Sequence, residues 1–280
     1  MWLIRVPRML LGALVGGGLA LIGAVFAGGH AQPAGRPSSV GRDLGATLGA
    51  VLVVLHLGEL IGVLTLPLAA FVGALCSMLL VLAIASRHGR LDSDRLLLCG
   101  VAVAFVMMAL ANLLLFMGDH RASSAVMFWM LGGLGLARWE LLAIPAASVV
   151  LGLMLLLGMA RSLNALMAGE QTAVTLGLNV RSVRLVAFLI CSLLTGVLVA
   201  ISGSIGFVGL VIPHAVRLLF GTCHARLLPA SALGGALFLI AADILSRTLI
   251  KGQVIPVGVV TALVGAPVFA LILIGRRNAR

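Results

Sequence analysis

Nine long apolar runs, at residues 9–27, 44–57, 60–86, 96–117, 141–160, 183–202, 205–220, 228–250 and 254–274, occupy most of this 280-residue chain. Most of them approach the ~20 residues that a helix needs to cross a hydrocarbon core of about 30 Å. The composition agrees: 62% of the residues are hydrophobic and 10% are charged, against about 45–50% and about 25% in a soluble domain. No single core could hide that much apolar surface from water, which excludes a soluble enzyme, a secreted disulfide scaffold and a disordered tail. The runs are continuous and do not alternate in segments of ~10 residues, so helices rather than a barrel meet the membrane lipid. The expected fold is an all-α polytopic membrane bundle of about nine spans, read as one transmembrane domain over residues 1–280.

A balance of 19 Lys+Arg against 8 Asp+Glu would suggest nucleic acid in a soluble chain. Here the basic residues sit singly between apolar runs, as membrane topology demands, and no nucleic-acid partner is expected. Lys251 is the one lysine, and it follows Ile250. A phosphate-binding GxxxxGK[ST] loop needs a lysine after its second glycine, so this chain cannot hydrolyse ATP by such a loop. Cys76, Cys99, Cys191 and Cys223 have no CxxC spacing. They read as small apolar residues, with no metal or redox role.

Two runs are atypical. Run 44–57 is short at 1.5 Å per residue and is expected to borrow residues 41–43 or to sit partly inside the bundle. Run 205–220 contains Pro213 and is preceded or entered by Gly203, Gly206 and Gly209. A broken helix is tolerated in a membrane only where neighbours or a cavity satisfy its backbone. A plain proline kink is the simpler reading, and the residues leave the two even. Glycines inside spans, such as Gly16-Gly17-Gly18, Gly23 and Gly234-Gly235, let helix backbones approach closely and imply a tightly packed bundle.

Arginine counting gives the orientation. One set of connections carries Arg36, Arg42, Arg87, Arg90, Arg95, Arg161, Arg181, Arg184, Arg217, Arg226, Arg276, Arg277 and Arg280. The alternate set carries Arg5, Arg8, Arg121, Arg138, Arg247 and Lys251. The first set is the richer, so it and the C-terminus are expected to be cytoplasmic. Nine spans then leave Arg5 and Arg8 outside, where cations need either a preceding helix or a task. Asp243 and Arg247 stand four residues apart, on one helix face. A carboxylate in a span is costly and seeks a partner, so the two read as a structural pair. The rival is a proton relay in a stand-alone secondary carrier, which would want more carboxylates than Asp243 and Glu59 supply.

The longest cytoplasmic connection, residues 161–181, is semi-polar and holds two short helical stretches separated at Gly169 and Gly177. Ordered connections of this length are commonly functional. From the residues alone, a plain amphipathic connector and a docking platform for a cytoplasmic protein are equally good readings.

Several long segments carry a resemblance. They are Gly203-Ser-Ile-Gly-Phe-Val-Gly-Leu-Val-Ile-Pro-His-Ala-Val-Arg217, His224-Ala-Arg-Leu-Leu-Pro229 and Ala242-Asp243-Ile-Leu-Ser-Arg247. Further on comes Ile255-Pro-Val-Gly-Val-Val-Thr-Ala-Leu-Val-Gly-Ala-Pro-Val-Phe269, and earlier Arg5-Val-Pro-Arg8, Trp129-Met-Leu-Gly-Gly133 and Leu166-Met-Ala-Gly-Glu170 through Leu176-Gly-Leu178. Over nearly its whole length the chain resembles the permease subunits of ABC importers for iron–siderophore complexes, haem and cobalamin. The resemblance implies a homodimer with the substrate path on its two-fold axis, in a bacterial inner membrane. It implies two ATP-binding cassette subunits, which hold ATP and magnesium, and a periplasmic substrate-binding protein; this chain itself binds no cofactor. Leu166, Gly169, Glu170, Ala173, Leu176, Gly177 and Leu178 resemble the helices that couple to the ATPase. Arg5, Arg8 and Arg247 match arginines that receive carboxylates of the binding protein, a task suited to arginine's fixed fork of donors. Met107, Met108, Asn112, Gly203, Gly206 and Phe207 are the pathway candidates.

The chain also departs from the family pattern. The family has about ten spans, and Arg5-Val-Pro-Arg8 usually follows the first of them. Gln32-Pro-Ala-Gly-Arg-Pro37 replaces an Asn-Pro-Leu-Ala-acidic-Pro pattern, and Arg42 and Asp43 stand where small or apolar residues are common. The transported molecule is expected to be haem, then a ferric siderophore, then cobalamin. The reason is the methionine group Met107, Met108, Met117, Met127 and Met130, a soft and adaptable apolar surface.

Overall fold

A computed structural model describes residues 2, 5–26, 37–57, 64–86, 93–118, 120–250 and 253–277. The 32–36 stretch, Glu59, Arg87, Arg90 and Lys251 lie outside them, as do the side chains of Arg42, Asp43 and Arg95. The described residues form helices and their connections. Helices α1 (Arg5–Phe26), α3 (Thr65–Ser86), α4 (Ser93–Met117), α6 (Trp139–Gly158), α9 (Val180–Ser202) and α11 (His224–Thr248) are long and apolar enough to cross a membrane. Shorter apolar stretches lie in α2 (Pro37–Leu52), α10 (Val208–Phe220) and α12 (Val257–Arg277). Each apolar run therefore has its helix. The short run 44–57 does gain its length upstream: α2 starts at Pro37 and continues into a π-helical turn over Val53–Leu57. Three short helices complete the order: α5 (His120–Met130), α7 (Ala160–Met167) and α8 (Glu170–Thr175).

Close packing divides the chain into two compact units. The first comprises Met1–His30, Leu131–Ile190 and Ile205–Arg280. Its centre is α1 laid against α11 and α10. Glycine makes that possible, since a Cβ on Gly16 would strike the Gly235 carbonyl oxygen and one on Gly23 the Gly209 carbonyl oxygen. Leu11, Val15, Leu21, Leu228 and Leu239 fill the space around these contacts and are fully buried. The second unit comprises Ala31–Met130 and Cys191–Ser204. Here α2 packs on α3 and α4, meeting α3 through an alanine core of Ala46, Ala50, Ala70 and Ala74. Gly45 and Gly73 bring the α2 and α3 backbones together. Val126 of α5 packs beside Val51 and Ala111.

Both units wear large apolar side chains outside, among them Leu79, Phe105, Leu151, Met154, Leu237 and Leu263. An apolar exterior of this extent is incompatible with water and natural in lipid or at subunit contacts. Small residues inside and large ones outside are the membrane pattern of helix association.

Candidate functional site

The sequence leaves a broken helix and a plain kink at Pro213 even; the structure puts the interruption before α10, at the glycine-bearing start of the run. Helix α9 ends at Ser202, residues 203–207 are non-helical, and α10 runs uninterrupted through a buried Pro213. Proline removes one N–H from a helix that its neighbours already hold, so α10 continues through it. The interruption is made instead by left-handed backbone. Gly203 has φ 68°, and Phe207 has φ 65° with ψ −30°, a strained conformation for a residue with a bulky side chain. Phe207 lies directly against Gly265 of α12, where a Cβ would come within 2.7 Å of the Phe207 Cβ. The Ser202 hydroxyl donates to the Leu198 carbonyl at 2.8 Å, closing the end of α9.

Toward one end of α11 lies a charged cluster that joins distant parts of the sequence. Asp243 is 2% exposed. Nε of Arg8, on α1, donates to its Oδ1 at 2.9 Å, and a terminal nitrogen of the same guanidinium lies 2.8 Å from that oxygen. Arg247 pairs with Oδ2, and its Nε donates to the Asp243 carbonyl at 3.2 Å. One buried carboxylate thus orients two guanidiniums from two helices, with a net local charge of +1 (two arginines less one aspartate). Arg5 is exposed one turn away on α1. The carboxylate is paired on both oxygens, as the structural-pair reading of Asp243 and Arg247 expects, with Arg8 added. The Arg247 contact follows from i,i+4 spacing; the Arg8 contact, 235 positions away, has no local sequence signal.

Between α6 and α9, the 161–181 segment forms α7 and α8. Gly169 separates them with φ 122°, and Gly177 ends α8 with φ 78°. That end is a Schellman motif: Leu178 N–H donates to the Ala173 carbonyl at 3.1 Å and Gly177 N–H to the Val174 carbonyl at 2.9 Å. Asn179 then caps α9 through its Oδ1, which accepts from Ser182 N–H at 3.1 Å. Ala173 is buried and fixes α8 from beneath, while Val174 is 58% and Leu176 65% exposed. Glu170 accepts from Arg184 at 2.9 Å. The segment is therefore a pair of short, capped helices with two exposed apolar side chains. Asn164 of α7 also reaches the start of α11, where its Oδ1 accepts from the His224 N–H at 3.0 Å.

Within the second unit, Met107 is buried while Met108 and Asn112 are exposed on α4. Asn112 is a polar residue on a face otherwise built from Phe105, Leu113 and Phe116. Gly203 is buried, Gly206 and Phe207 exposed. Among the described residues no group of three His, Cys, Asp or Glu side chains could hold a metal ion.

Helices this apolar outside and this closely packed inside make a multi-pass membrane protein. The chain belongs to the FecCD transport family, whose sequence profile matches residues 1–275. It is 42% identical to the ABC transporter permease protein YvrB of Bacillus subtilis (strain 168), over 97% of this chain and 77% of that one. It is 42% identical to the cobalamin import system permease protein BtuC of Halobacterium salinarum, covering 96% and 72%. It is 37% identical to the hemin transport system permease protein HmuU of Yersinia pestis, covering 100% and 84%. A solved chain from a metal-chelate type ABC transporter in an inward-facing conformation superposes with a TM-score of 0.90 at 30% identity, over 98% of this chain and 87% of that one. The protein is a permease subunit of an ABC importer, a membrane transport component rather than an enzyme.

Proposed function

We propose that this permease moves a metal chelate with a large apolar ring, haem foremost, from the periplasm to the cytoplasm by alternating access. The observation that carries the reading is the methionine-bearing α4, with Met108 and the polar Asn112 on its exposed face. Methionine supplies a polarisable surface that adapts to a flat ring, and one amide among apolar side chains gives a passing ligand a weak polar foothold. Relatives named for hemin and for cobalamin support a large ring over a small ion. A ferric siderophore is the second choice.

The permease works as a homodimer in the bacterial inner membrane, with its C-terminus cytoplasmic. Two ATP-binding cassette subunits dock on the 161–181 platform, where Val174 and Leu176 offer apolar anchors. Residues Leu166, Gly169, Glu170, Ala173, Gly177 and Leu178 hold that platform in shape. A periplasmic binding protein docks on Arg5, Arg8 and Arg247. ATP binds one state of the cassette pair better than the other, and that difference drives the switch. Gly203, Gly206 and Phe207 at the broken segment are pathway residues in this reading, as are Met107, Met108 and Asn112 of α4.

The test is uptake by proteoliposomes holding the complete complex, with haem, a ferric hydroxamate and cyanocobalamin offered in parallel. Haem accumulation above the other two supports the reading; cobalamin or siderophore uptake without haem uptake overturns it.

A further inference from the structure

Helix α11 carries a feature at each end. Asp243, near its last turn, holds Arg8 and Arg247. His224, at its first residue, is held by Asn164 of α7. The two lie 19 residues apart (243 − 224), which at 1.5 Å per residue is about 29 Å, close to the ~30 Å of a hydrocarbon core. One helix thus spans the membrane from the 161–181 platform to the arginine cluster.

The contact at the platform end is specific. The first turn of a helix leaves N–H groups without partners inside the helix. Cys223, in the N-cap position of α11, makes no side-chain capping bond. Asn164 supplies the cap from another helix: its Oδ1 accepts from His224 N–H at 3.0 Å and stands 2.7 Å from His224 Nδ1. An amide oxygen only accepts, so Nδ1 is the protonated ring nitrogen. Nδ2 of Asn164 donates to Cys223 Sγ at 3.7 Å. His224 is buried, and its Nε2 has no hydrogen-bond partner among the described residues. The histidine is therefore fixed through Asn164, and the amide group binds two successive residues of α11 at once.

We infer that Asn164 is a positioning residue that joins the platform to α11, so that displacement of α7 moves α11 and the arginine cluster with it. This rests on the proposed reading of 161–181 as the ATPase-docking segment. The joint gives that segment a direct route to the opposite face: platform, amide, helix, cluster.

The test uses the complete complex in proteoliposomes. The readout is the factor by which the binding protein stimulates ATP hydrolysis, each variant referred to its own unstimulated rate. Asn164→Ala is expected to cut that factor at least about fivefold, the lower range of ordinary coupling energies. Asn164→Asp keeps the accepting oxygen and is expected to retain at least half of it. The double variant Asn164→Ala/His224→Ala is expected to be no worse than either single one, as for residues acting through one contact. An Asn164→Ala complex stimulated like the parent, or an Asn164→Asp complex that falls as far as the alanine variant, overturns the inference. A separate arm tests the underlying reading. Leu176→Asp should release the ATPase during purification; if the ATPase stays bound, the platform assignment fails. Release there with full stimulation in Asn164→Ala defeats the joint alone.

Discussion

Asp243→Asn separates two roles for the charged cluster because they predict opposite signs. The substitution keeps shape and removes one negative charge, raising the local net charge from +1 to +2. The two guanidiniums, on opposite oxygens of one carboxylate, then face each other across roughly 5 Å, a repulsion of about 3 kcal/mol at an effective dielectric near 20. Arg8 is 18% and Arg247 29% exposed, so both can turn toward water, and solvent screening reduces the destabilisation to about 1–2 kcal/mol. Docking is affected by a different quantity. If the arginines act only as positive charge, the extra charge strengthens capture of acidic groups and steepens the salt dependence. If Asp243 acts by holding them in place, each freed arginine must be ordered anew on binding, at about 0.5–1.5 kcal/mol. Set against a small gain in charge, the net loss is about 1 kcal/mol, or roughly fivefold in affinity. The assay is binding-protein affinity for the reconstituted complex across a salt series, with thermal unfolding measured alongside. The expected result is weaker binding and a lower Tm. Tighter binding by Asp243→Asn would refute the positioning role of this carboxylate.

Gly16→Ala places a methyl against the Gly235 carbonyl and within 2.7 Å of the Leu239 Cβ; the backbone cannot yield as a side chain can, and a loss of about 1–3 kcal/mol is expected, read as a lower midpoint in detergent melting. Arg5→Glu, at an exposed position, should slow binding-protein association and flatten its salt slope while changing dissociation little, as stopped-flow kinetics would show; unchanged association would leave Arg5 as a topology residue. The purified permease alone should show no ATP hydrolysis above background, and turnover in its absence of partners would contradict the lysine argument.

The helices were legible from the apolar runs because membrane spans are specified by length and composition, which a sequence states outright. The close approach of α1 and α11 was legible only as glycine content: which glycine meets which is settled by three-dimensional packing. Between Pro213 and the glycines that open its run, residue type alone does not choose: proline is a strong breaker in water-exposed helices and a weak one where neighbours hold the backbone. The break lies at Gly203 and Phe207, and a left-handed phenylalanine leaves no trace in residue type. The Asp243–Arg247 pair could be read from helical spacing. The Arg8–Asp243 and Asn164–His224 contacts join residues that no spacing rule connects. Helix α5, eleven residues long and opening on His120-Arg-Ala-Ser-Ser, carries no span-length apolar signal.

The central claim is that energy for import enters through a separate ATPase and not through this chain. The direct measurement is ATP-dependent accumulation of haem by proteoliposomes containing the permease, its ATPase and its binding protein, with and without a proton uncoupler and with and without the ATPase. Accumulation that requires ATP and the ATPase and persists with the uncoupler is the predicted result. Accumulation by the permease alone, abolished by the uncoupler, would contradict it.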